Sequence, residues 1–144
     1  VRTFEAAAYL RRKGADTVEV KRLFADSIDT YKAKYQLVSG AEIFHSCAIA
    51  SADENCPDIR VASAQAADEL LGIQEVSASF VLYPSPGAIN ISARSLGDIN
   101  VQLIMEQLGG GGHQTMAGAQ IPDVTMDEAR ERLIQIINEL ELKK

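Results

Sequence analysis

Gly109-Gly110-Gly111-Gly112-His113-Gln114-Thr115-Met116-Ala117-Gly118 runs four glycines directly into a histidine. A helix stop explains one of them, because the residue just past a helix often takes positive φ. It does not explain four. Consecutive glycines let a backbone come close to a ligand, and successive N–H groups can form an anion-binding nest. His113, at the end of the run, can add a donor, a positive charge or a proton shuttle. The competing account is a flexible loop that happens to carry a histidine.

The flanking segments give the order of elements. Before the glycines, Asp98 or Asn100 caps a helix with Val101, Ile104, Met105 and Leu108 on its apolar face. After them, Thr115 to Ile121 reads as a strand. Thr125-Met126-Asp127-Glu128 is a capping box opening a helix with the core stripe Ala129, Leu133, Ile136, Ile137 and Leu140. Further upstream, Val76 to Tyr83 alternates, with Val76, Ala78, Phe80 and Leu82 facing one way. Pro84-Ser85-Pro86-Gly87 then turns the chain into Ala88 to Ser95. There Ile89, Ile91 and Ala93 form the core face and Asn90, Ser92 and Arg94 the opposite one, a hairpin with one apolar and one polar side. Contact with water explains Asn90 equally well. Arg94 is the better ligand candidate, because the Arg94-Ser95 pair ends a strand just before the glycine motif.

Ile59 to Leu71 reads as a helix ending at Gly72, and Ala41 to Ala50 as one buried strand. Between them, the acidic loop Asp53 to Asp58 lacks the spacing of a calcium loop. The first forty residues read as wholly helical. Thr3 to Lys13 forms one helix, Asp16 and Glu19 box the next, and Asp26 caps a third with Ile28, Tyr31, Tyr35 and Val38 on one face. No strand in that stretch offers them a surface, so they are expected to finish one lobe and bridge to another. The fold class is α/β: linker helices over 1–40, then a mixed sheet with helices packed on it over 41–144.

A chain of 144 residues is one domain, or one domain and a piece of another. Its longest apolar run falls short of the roughly 18 residues a membrane helix needs. The opening Val1-Arg2-Thr3, without a methionine, reads as a cut fragment. A net charge of −6 argues against nonspecific nucleic-acid binding, which gathers cations to displace counterions. Cys47 and Cys56 lie nine apart, have no zinc spacing to His45, and read as structural.

Element order also excludes two phosphate motifs. A P-loop and a Rossmann turn both place glycines between a strand and a helix N-terminus. Here a helix precedes the glycines, and its carbonyl end repels phosphate. An anion must be held by the loop's own N–H groups, with His113 and Arg94 supplying charge; the guanidinium fork suits two phosphate oxygens. Metal-assisted hydrolysis needs clustered Asp and His ligands. The sequence shows no such cluster, and its only histidines are His45 and His113.

The GGGGH run followed by small residues resembles the GGGH-x-x-A-A-G motif of the DHHA1 domain, the substrate-binding lobe of DHH-type phosphoesterases. Ile91-Ser92-Ala93-Arg94-Ser95 resembles that family's S-x-R-S strand end. Arg2-Thr3-Phe4-Glu5-Ala6-Ala7 resembles the segment closing the DHH lobe in membrane-anchored cyclic-di-AMP phosphodiesterases. Met116 is a departure, a bulky residue at the head of the small-small-Gly run.

The resemblance implies a substrate-binding lobe inactive by itself, with no catalytic residue beyond an assisting His113. Substrate contacts are expected from Ser92, Arg94, Ser95, Gly109, Gly110, Gly111, Gly112 and His113. It implies no metal or other cofactor on this chain, and manganese on the missing DHH lobe of the same parent chain. The expected ligand is a cyclic dinucleotide or short nucleotide; a homodimer stays open. The domain is expected to be cytoplasmic and its parent membrane-anchored. Alternatives are the DHHA1 lobe of a short-RNA exonuclease, oligoribonuclease or polyphosphatase, or, in another class, a nucleic-acid-binding module. The acidic balance and the missing aromatic platform weigh against that last one.

Overall fold

The computed structural model describes residues 17–53 and 58–142, with side chains over 28–53 and 58–140. The expected helix over Thr3 to Lys13 and the Asp16 cap lie outside the described residues. In chain order the elements are α1 (Thr17–Ser39), β1 (Glu42–Phe44), β2 (Cys47–Ser51), α2 (Ile59–Leu70), β3 (Ala78–Ser85) and β4 (Ala88–Ser95). Then come α3 (Val101–Gln107), β5 (Gly111–Gly112), β6 (Met116–Pro122) and α4 (Met126–Leu142). Among the described residues no helix is long and apolar enough to cross a membrane.

The strands form one mixed sheet in the order β1-β2-β3-β4-β6-β5. Only β2 and β3 pair in parallel, joined by α2 as the crossover; every other pair is antiparallel. Helices lie on both faces. On one, Phe80, Leu82, Ile89, Ile91 and Ala93 pack with Val101, Ile104 and Met105 of α3 and Ala129, Leu133 and Ile137 of α4. Burying each large side chain there contributes roughly 1.5–3 kcal/mol. On the other, Ala48, Ala50 and Val81 pack with Ala62, Ala66, Ala67 and Leu70 of α2 and with Ala33 and Leu37 of α1.

The segments around the glycines form as the alternation and caps require. β4 alternates half-buried and buried over its whole length. The N-cap of α3 is Asn100, whose Oδ1 accepts from the Leu103 N–H at 3.3 Å. Thr125 and Glu128 close their box: the Glu128 N–H donates to Thr125 Oγ1, and that hydroxyl donates to the Glu128 carboxylate, each at 3.2 Å.

Four expectations need correction. Asp26 lies inside a helix rather than ahead of one, because α1 runs unbroken from Thr17 to Ser39. The apolar face is divided: Ile28, Tyr31 and Tyr35 are 51%, 60% and 63% exposed, while Val38 packs against the core beside the buried Ala33 and Leu37. The alanines of β2 and α2 admit a helix at close range, which favours small residues on its inner side. As its own stretch holds no strand, α1 packs on the sheet that follows it.

Ala41 to Ala50 is a hairpin rather than one strand. Phe44 pairs with Cys47 across a two-residue turn in which His45 and Ser46 take φ of 48° and 63°. Nor is the β3–β4 hairpin polar on one entire side: on β3 that face carries Ser79 and Val81, both fully buried under α2. The Ser79 hydroxyl donates to the Ala67 carbonyl at 2.5 Å.

Candidate functional site

The glycine run divides into two jobs. Gly109 and Gly110 close α3. The Gly109 N–H donates to Glu106 O at 3.1 Å and the Gly110 N–H to Met105 O at 2.7 Å, the paired bonds of a Schellman ending, with Gly109 at φ 87°. Gly111 and Gly112 then form β5, paired with Gly118 and Ala117. Two N–H groups of the expected nest are therefore turned back into the helix end.

Side chains are excluded at three of the four positions. At Gly110 a Cβ would land on the Gly118 carbonyl oxygen, and at Gly112 (φ 145°) it would lie 2.5 Å from Ala117 Cα. Gly109 needs its positive φ. Gly111 is different: a Cβ there meets nothing within 4 Å, and its φ is not positive. The fold gives no reason for glycine at that position.

His113 opens the tight turn into β6; its N–H donates to Met116 O at 2.7 Å, and its side chain is exposed. The turn is tied to the β4–α3 loop. Gln114 Nε2 donates to Gly97 O at 3.2 Å, Gln114 O accepts from the Val101 N–H at 3.1 Å, and Thr115 O accepts from the Ser95 N–H at 3.0 Å. These bonds fix the histidine's backbone relative to the end of β4.

Directly opposed residues of an antiparallel pair share a face. The register sets Arg94 opposite Met116, Ser92 opposite Gly118, and Gly118 opposite Gly111. Ser92, Arg94 and Gly111 thus share the face that α2 covers over β3 and in part over β4; among the described residues its β6–β5 part is open. Arg94 sits where cover ends. Its Nε donates to Asp68 Oδ1 of α2 at 3.2 Å, and Nη1 to its neighbour's Ala93 O at 3.0 Å. Nη2 takes no bond among the described residues. The side chain is 15% exposed against 65% for Asp68, so α2 holds a largely sheltered cation at the rim of an open surface.

Ser95 stands apart. It is 6% exposed, and its Oγ accepts from the Gly97 N–H at 2.9 Å, which shapes the loop after β4. Sequence reasoning missed Asp68, which carries no motif. It also missed Gln120, whose position on the open face was implicit in the alternation of Thr115 to Ile121. Among the described residues no group of three or more His, Cys, Asp or Glu is placed to hold a metal ion. The donor set here does not fit one.

The sequence pattern of the DHHA1 domain matches residues 57–141. The cyclic-di-AMP phosphodiesterase GdpP of Geobacillus thermodenitrificans is 51% identical over 140 residues, 96% of this chain and 21% of that protein. The cyclic-di-AMP phosphodiesterase PdeA of Listeria monocytogenes is 49% identical over 139 residues, 95% of this chain and 21% of that protein. The chain thus spans about a fifth of these relatives. Among solved structures, an exopolyphosphatase-related protein from Bacteroides fragilis superposes with a TM-score of 0.72 at 21% identity, covering 99% of this chain and 45% of that one. That likeness is one of fold. A match that begins before α2, takes in the β3 to β6 strands and ends within the last turn of α4 makes this chain a member of the DHHA1 domain family.

Proposed function

We propose that this chain is the substrate-binding lobe of a metal-dependent cyclic-di-AMP phosphodiesterase. The observation that carries the reading is identity near one half, along almost the whole chain, to two enzymes of that activity. The open face supports it: Arg94 and Ser92 stand beside a backbone floor at Gly111 and Gly118, and the His113 turn is stapled nearby.

On this reading the Arg94 guanidinium and His113 hold phosphate oxygens, Ser92 adds a hydroxyl, and Gly111 lets a ligand lie against the backbone. Gly109, Gly110 and Gly112 act indirectly, by setting where β5 and His113 sit. Ser95 does the same for the loop after β4. Manganese and the attacking water belong to a DHH lobe elsewhere in the parent protein.

The test uses the full-length protein with cyclic-di-AMP. His113→Ala and Arg94→Ala should each lower kcat/KM at least about tenfold, equivalent to roughly 1.4 kcal/mol of transition-state stabilisation, with little change in Tm. Retained activity in either variant removes that residue from the site. Affinity that climbs with oligonucleotide length and falls steeply with salt would reject the cyclic-dinucleotide reading in favour of a nucleic-acid surface.

A further inference from the structure

The open face has a second polar wall that the phosphate contacts do not use. Three rows of opposed residues cross it: Arg94 with Met116, then Ser92 with Gly118 and Gly111, then Asn90 with Gln120. The middle row has one small hydroxyl and two glycines. The outer rows carry long side chains, so the face is a trough with a backbone floor. Rows two residues apart on a strand are separated by roughly 6.5 Å, which puts the walls roughly 13 Å apart. Met116, 51% exposed, stands on the Arg94 side and Gln120 on the other.

The two amides of the far wall differ in availability. Asn90 Nδ2 is spent inside the hairpin, on Ser85 Oγ at 2.8 Å and Tyr83 O at 3.5 Å. Gln120 is exposed, and its carboxamide has no hydrogen-bond partner among the described residues. An idle carboxamide at the edge of a flat, side-chain-free floor offers one donor and one acceptor in a plane.

We infer that Gln120 reads the base of the bound nucleotide, accepting from adenine N6–H and donating to adenine N7, while the ring lies over Gly118 and Gly111. This rests on the cyclic-di-AMP reading and extends it from the phosphates to the base. A carboxamide matches adenine on that edge and mismatches guanine, whose O6 and N7 both accept. Met116 closes the opposite end, where a thioether makes favourable contact with an aromatic ring. The trough therefore separates phosphate recognition at Arg94 from base recognition at Gln120. Gln120 is a specificity residue and touches no reacting atom.

The experiment measures kcat/KM for cyclic-di-AMP and cyclic-di-GMP with the full-length protein, its Gln120→Ala variant and its Gln120→Arg variant. Wild type should prefer the adenine substrate, and Gln120→Ala should cut that preference roughly five- to a hundredfold. In Gln120→Arg the preference should move further toward guanine, because arginine supplies two donors to O6 and N7. Tm should stay constant, since the side chain is exposed. A preference ratio that stays within about twofold of wild type in both variants overturns the inference. Wild type that turns over neither substrate is a separate result: it overturns the cyclic-dinucleotide reading itself.

Discussion

Alanine at Gly110 and alanine at Gly111 should behave oppositely, although the two glycines are adjacent. At Gly110 the new methyl falls on the Gly118 carbonyl oxygen and lies 2.6 Å from Ala119 Cα and 2.7 Å from its Cβ. Carbon atoms in van der Waals contact sit about 3.5–4.0 Å apart, so β5 must retreat from β6 by roughly 1 Å. Overpacking of that kind costs about 1–3 kcal/mol. The same shift pulls on the 2.7 Å bond from the Gly110 N–H to Met105 O, whose loss adds about 1 kcal/mol. A total of about 3 kcal/mol in a domain of this size lowers Tm by roughly 10 °C. Gly111→Ala meets open space at ordinary φ, so its Tm should lie within about 3 °C of wild type and can rise, because alanine restricts the unfolded chain. Its methyl nevertheless stands in the open trough, so KM for the nucleotide should increase. The assay is thermal unfolding by circular dichroism beside a turnover measurement on the full-length protein. Equal losses of Tm in the two variants, or a Gly110→Ala protein melting with wild type, would refute the division of the glycines into fold-required and ligand-facing positions.

Two further outcomes follow from the site. Asp68→Asn should change stability by less than about 1 kcal/mol, because its carboxylate is mostly exposed, yet raise KM severalfold by releasing Arg94; an unchanged KM would show that the ion pair does not position the guanidinium. The 144-residue chain alone, incubated with manganese and cyclic-di-AMP, should give no product above a blank in a chromatographic assay; measurable turnover would contradict the assignment of the metals to another lobe.

The sequence was readable where local chemistry and tertiary packing agree. Alternation in Ala88 to Ser95 sorted both faces of β4 correctly, and the Thr125 box located the start of α4. It misled where large apolar residues and buried residues part company. The spacing of Ile28, Tyr31 and Tyr35 looks like a core stripe, but α1 approaches an alanine-rich surface through Ala33 and Leu37. The turn at His45-Ser46 was invisible because neither residue is the glycine or asparagine that positive φ ordinarily selects. At the candidate site, the motif was visible but its internal division was not. That Gly110 must lack a side chain while Gly111 stands free depends on where β6 returns, a contact made by residues seven to nine positions later. Arg94 was singled out from its place at a strand end; Asp68, twenty-six residues earlier, becomes its partner only once α2 lies over the sheet.

Among the described residues the sheet ends at β1 and β5, which are three and two residues long. A free sheet edge templates pairing with strands of other chains, and growth of such pairings underlies aggregation. A strand arriving at β5 finds two glycines and no side chains to grip. One arriving at β1 meets a stretch that reverses immediately at His45-Ser46, with Glu42 already engaged by Arg130 of α4. The two glycines of β5, one of which is part of the floor left for a ligand, thus leave an incoming strand almost nothing to polymerise on.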